Sequence, residues 1–214
     1  MNQKVSPFLQ PHSAIVRIWH WLTFILILIS IFTVIINSTL LDPRANGKVV
    51  QEQLIGQNIS LDDRQSFFIA HHFDDQLWNL HKYIGIGIAF LLLVRIAAEF
   101  SIPAEERTRT RLLSALKTYR SDKEGNKEYR HYLIVRTSYT LFYILLLFLS
   151  ISGLIIAFGR NIGIEAQAVR SFKELHETGQ WLVYAFVIFH IGGVVISETG
   201  KVKGIVSGMI NGNK

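Results

Sequence analysis

His176 and His190 lie fourteen residues apart on one apolar segment. Fourteen residues are nearly four helical turns, so on a helix both imidazoles leave the same face, separated by roughly 21 Å along the axis. That is about two-thirds of the hydrocarbon thickness of a bilayer. Two further histidines, His20 and His81, stand near the starts of two other apolar segments. A histidine at membrane depth costs desolvation free energy unless its nitrogens are satisfied. Four of them at two matched depths predict two metal centres stacked across a membrane.

The elements that must hold these histidines are visible as hydropathy. Half of the 214 residues are hydrophobic, only 18% are charged, and mean hydropathy is positive, a balance foreign to most soluble domains. Four segments reach the roughly 20 residues that a spanning helix needs: about Ile15 to Ile36, Trp78 to Phe100, Tyr132 to Phe158, and Glu174 to Ser197. Hydrocarbon offers no water to pair backbone groups, so each must be helical. The first has too long an apolar run for a cleaved signal peptide and no small-residue cleavage site, so it is expected to remain as helix one. The expectation is an all-α integral membrane four-helix bundle with haems between helices, forming a single domain over 1–214.

The chain has no cysteine. Iron–sulfur ligation and thioether-linked haem are therefore excluded, and histidine is the ligand available in quantity. The formal charge of +6 does not mark a nucleic-acid binder, because of where the cations fall. The terminal segments and second loop, which includes Arg107, Arg109, Arg111, Lys117, Arg120, Lys123, Lys127 and Arg130, carry thirteen Lys and Arg, counting Arg17 at the entrance of helix one, against six in the other two loops. The positive-inside rule then places both termini in the cytoplasm, and the basic residues report topology and contact with membrane lipid.

Orientation assigns depth. His20 falls on the cytoplasmic half with His190, and His81 on the outer half with His176. Each pair joins two helices, as bis-axial ligation of haem b requires, and two filled axial positions favour electron transfer over chemistry at the metal. No catalytic residue is expected. Gly85, Gly87, Gly153, Gly179, Gly192 and Gly193 offer small surfaces beside these histidines, as close helix approach needs. Propionates need cations: Arg17 precedes His20 by one turn, and Arg95 follows His81 by fourteen residues, at the depth of the inner pair. An arginine there calls for a carboxylate, and on the other helices only Glu198 comes near that depth. Lys82 and Arg136 are weaker candidates that can also snorkel to headgroups.

Outside the spans, Ser66 to Ala70 in the long first loop reads as a short amphipathic helix at the outer interface. Glu105 to Arg120, with Leu112, Leu113 and Leu116, reads as a basic helix lying on anionic headgroups, followed by a turn over Asp122 to Asn126. His12 and His131 suit helix entrances. His71 and His72, with Asp74 nearby, offer zinc or copper ligands, although adjacent histidines diverge on a helix.

Three motifs carry a resemblance: Arg17-Ile18-Trp19-His20-Trp21, Leu80-His81-Lys82-Tyr83-Ile84-Gly85, and Glu174-Leu175-His176-Glu177 with His190. In order and spacing they resemble the bacterial cytochrome b561 family, which includes the cytochrome b subunits of nickel–iron hydrogenases and is similar to the haem subunit of formate dehydrogenase. The closing Gly208 to Lys214 resembles the short Met-Ile-x-Gly tail of many small members. The resemblance implies a di-haem b cytochrome of the bacterial inner membrane, passing electrons between a hydrogenase-like or cytochrome c-like redox partner and a respiratory quinone pool. It supplies no quinone-site motif. Alternatives on the same residues are a stand-alone superoxide or quinol oxidoreductase, a ferric-reductase-like domain, which would carry histidine pairs on two helices, and a non-redox anchor or transporter subunit with a histidine proton relay.

Overall fold

The computed structural model describes residues 13–101, 107–121, 126–200 and 204–212. Among these, α1 (Ala14–Thr39), α3 (Asp63–Ser101), α5 (Asn126–Phe158) and α6 (Ala166–Thr199) are the long elements, joined or followed by α2 (Pro43–Ile55), α4 (Thr108–Ser121), a 3₁₀ turn (Gly159–Ile162) and α7 (Ile205–Ile210). All four long helices are apolar and long enough to cross a membrane. The chain is all-α and fits a membrane four-helix bundle. His12 and parts of the Glu105–Arg120 and Asp122–Asn126 segments lie outside the described residues.

Two compact units divide the chain, one spanning 22–88 and the other taking the described residues up to 21 together with those from 89 onward. In the first unit, α1 shows why an apolar helix can still have two sides. Ile18, Leu22, Ile25, Ile29 and Phe32 are exposed at three- and four-residue steps, the stripe a lipid-facing helix presents. Thr23, Ile27, Thr33 and Asn37 are buried on another face. Asp42 caps α2 by accepting from the Arg44 N–H at 2.8 Å, and Pro43 opens that helix, where a missing N–H has no cost.

The expected short interfacial helix at Ser66–Ala70 is instead the first part of α3, which runs unbroken for 39 residues, about 58 Å at the helical rise. Its start is a reciprocal cap: Asp62 Oδ1 accepts from Gln65 N–H at 2.7 Å and Gln65 Oε1 accepts from Asp62 N–H at 3.0 Å, the capping-box arrangement. No proline or glycine interrupts the run before Gly85. Ser66, Ala70 and Asp74, spaced by four, are all buried. At Gly47 of α2 an added Cβ would lie 3.3 Å from the Phe67 backbone nitrogen, so the two helices approach closely there.

In the other unit, α5 and α6 form a hairpin through the 3₁₀ turn. Gly163 closes it at φ 84°, its N–H directed to the Arg160 and Gly159 carbonyls, a left-handed cap that glycine adopts without steric cost. A Cβ at Gly179 of α6 would come within 2.8 Å of Leu149 Cδ2 on α5. α6 begins eight residues before the expected Glu174, because hydropathy marks only the apolar part of a helix that continues into the polar zone. Glu198, near its end, accepts from the N–H groups of Gly204 and Val206 and so holds the start of α7.

Candidate functional site

His20 leaves the first turns of α1 and His190 leaves α6. Their ring centroids are 6.1 Å apart with an interplanar angle of 61°. Neighbouring contacts fix the turn that carries His20. Trp19 Nε1 donates to the Leu91 carbonyl at 2.7 Å while its ring meets Tyr143, and Trp21 Nε1 donates to the Met209 carbonyl at 3.0 Å. His190 is held by aromatic faces. Phe186 stacks on it at 5.7 Å and 6°, Tyr139 meets it edge-on at 5.8 Å, and Phe186 itself stacks on Phe142 at 3.7 Å.

Two imidazoles bound to one metal atom at about 2 Å each bring their centroids to roughly 6 Å. The His20–His190 separation fits that spacing. Separately, in the 22–88 unit, Thr23 Oγ1 and both amide atoms of Asn37 are buried without a hydrogen-bond partner. Such atoms mark places where a further group or water completes the structure.

His81 and His176 sit in different units and share one local arrangement. Within 22–88, Nδ1 of His81 lies 2.8 Å from Thr33 Oγ1 and 3.5 Å from Ser30 Oγ, with Trp78 edge-on at 5.6 Å. In the other unit, Nδ1 of His176 lies 2.9 Å from Ser152 Oγ. A Cβ at Gly153 would stand 3.3 Å from Cε1 of the same ring, so the glycine makes room for the imidazole. Thr33 and Ser152 were not singled out by the spacing of the histidines. Their signal was a hydroxyl residue one or two turns from other small polar residues within an otherwise apolar helix.

The arginines resolve differently from expectation. The carboxylate beside Arg95 is Glu99, four residues on in the same helix, with Nη1 to Oε2 at 3.1 Å. Glu99 also accepts from the Thr108 N–H, tying the end of α3 to the start of α4. Glu198 serves α7 instead. The Arg17 guanidinium lies over Gly212 so closely that a Cβ there would overlap it. Lys82 donates to Asn79 Oδ1 at 3.0 Å, and Arg136 donates to the Tyr132 hydroxyl at 3.1 Å, local partners in both cases.

Of the adjacent pair, His71 rather than His72 faces Asp74. Its Nδ1 is 2.6 Å from Asp74 and its Nε2 is 3.6 Å from Asp75, while His72 packs edge-on to Phe73. His71, Asp74 and Asp75 bring three ligand atoms within 4.8 Å of one another. A carboxylate lies near each ring nitrogen, so the three side chains link successive turns of α3 ahead of its apolar part.

No curated protein and no solved structure matches the chain. The sequence profile described as prokaryotic cytochrome b561 matches residues 11–212, nearly its whole length. Four helices long and apolar enough to span a membrane agree with this match, and the chain belongs to the prokaryotic cytochrome b561 family, multi-pass membrane cytochromes that carry electrons on haem b.

Proposed function

We propose that the chain is a di-haem b cytochrome of the bacterial inner membrane, a single functional domain with both termini cytoplasmic, passing electrons between an outer-face redox partner and membrane quinone. His20 and His190 would hold the cytoplasmic haem, and His81 and His176 the outer one. The observation that carries this reading is the 6.1 Å approach of the His20 and His190 rings. The outer pair rests on the sequence, which sets His81 and His176 at one depth, and on the matching hydroxyl contacts of the two rings.

Haem, when bound, supplies one-electron redox change. The chain's own residues ligate, orient and insulate. Phe186 and Tyr139 pack aromatic rings on His190, with Phe142 behind Phe186, surroundings that would influence the potential of a group held there. Paired axial imidazoles deny a position to oxygen or substrate, which favours a conduit over a stand-alone oxidase. The excess of Lys and Arg in the termini and second loop supports the assignment of sides. A hydrogenase-like or cytochrome c-like protein is the class of partner this arrangement suits.

The test is purified protein in liposomes holding a quinone analogue. A reduced-minus-oxidised spectrum with a b-type α band, followed by reoxidation of both haems on quinone addition, is the expected result. Absence of the band, or haems that quinone leaves fully reduced, would contradict the proposal.

A further inference from the structure

Thr33 and Ser152 are among the most buried polar residues described, at 2% and 0% exposure. A hydroxyl carries one hydrogen and two acceptor lone pairs. Thr33 donates its hydrogen to the Ser30 carbonyl at 2.6 Å, and Ser152 donates to the Leu149 carbonyl at 3.2 Å. The carbonyls only accept, so a hydroxyl that donates to one keeps its lone pairs for the neighbouring ring. What each oxygen then presents to the neighbouring imidazole, at 2.8 Å and 2.9 Å, is a lone pair.

A lone pair can hydrogen-bond Nδ1 only if Nδ1 carries a proton. An imidazole that ligates through Nε2, the nitrogen farther from the backbone, carries its proton on Nδ1, and this is the tautomer the arrangement accommodates. Two unrelated helix pairs, α1 with α3 and α5 with α6, arrive at the same three-atom chain of carbonyl, hydroxyl and Nδ1. Helix back-bonding alone accounts for the first link and not for the second.

We propose that Thr33 and Ser152 are positioning residues, each within its own unit: each hydroxyl accepts Nδ1–H of its histidine, holding ring and tautomer so that Nε2 is left to ligate haem. The inference rests on the bis-histidine reading above. An imidazole whose N–H is hydrogen-bonded is a more basic ligand, and a more basic ligand favours ferric over ferrous iron. Removing the acceptor therefore raises the reduction potential. Loss of an outer-shell partner typically costs about tenfold or more in metal affinity, and only the part of that loss that falls on ferric rather than ferrous iron moves the potential. A tenfold loss of ferric preference corresponds to about 59 mV for one electron.

Detergent-purified wild type, Thr33→Val, Thr33→Ser and Ser152→Ala are compared by haem content, optical redox titration and the low-spin ferric EPR signal. The valine and alanine variants are expected to raise one and the same titrating component by about 59 mV and shift its EPR g values, leaving the other component in place. Thr33→Ser is expected to restore the wild-type potential. Unchanged potentials and g values in both variants overturn the assignment, as does a shift that serine fails to restore, or shifts falling on different components. The underlying reading fails separately, through His81→Ala and His176→Ala proteins that keep both haems.

Discussion

The Arg17 guanidinium lies directly over Gly212, a residue with φ 76° at the end of the described tail. The positive φ favours glycine there, which gives a physical reason for the last residue of the Met-Ile-x-Gly tail. With the Trp21 bond to Met209, it fastens the tail to the turn of α1 that carries His20.

Gly212→Ala is expected to release that tail. A non-glycine residue forced into this region, with a Cβ overlapping a side chain, costs about 1 to 3 kcal/mol. Amide exchange over 206–212 should accelerate by about tenfold with little change elsewhere, measured by hydrogen exchange of the purified protein. Unaltered exchange would show that the tail does not depend on this contact.

Glu99→Gln tests the arginine. Arg95 and Glu99 are partly buried, at 21% and 25% side-chain exposure, so loss of the charge is expected to cost about 1 to 2 kcal/mol rather than the larger penalty of a fully buried pair. A double-mutant cycle with Arg95→Met should give a favourable coupling energy. Additive losses would mean the pair contributes nothing.

The α5–α6 seam is tight at Gly179. Gly179→Ala would bring a methyl against Leu149, and overpacking of this kind costs about 1 to 3 kcal/mol. The cost should shrink in a Leu149→Ala background, read as thermal stability of the two single variants and the double. Equal costs in both backgrounds would contradict the packing argument.

Much of this arrangement was legible in the sequence, for identifiable reasons. Hydropathy marks the four apolar segments because a lipid-facing helix cannot hide its composition, and fourteen-residue spacing puts His176 and His190 on one side of α6 without any tertiary information. The ends of the helices were not legible. α3 reaches back to Asp63 because the Asp62–Gln65 cap starts it and buried Ser66, Ala70 and Asp74 pack it, a stripe too polar to register as apolar. Arg95 pairs with an acid four residues on in its own helix, the simplest of local signals. Thr33 and Ser152 carry no such signal, because a single hydroxyl in an apolar helix is incidental in sequence and gains meaning only from the histidine nitrogen set against it. The contact between Arg17 and Gly212 joins residues nearly two hundred positions apart, and no local pattern encodes it.

The most direct measurement is haem per chain, by pyridine haemochrome assay, in wild type and in His190→Ala and His81→Ala. Two haems in the wild type are predicted, with His190→Ala losing the one assigned to His20 and His190, and His81→Ala losing the other. Variants that purify folded and still carry the full wild-type complement would contradict histidine-pair ligation.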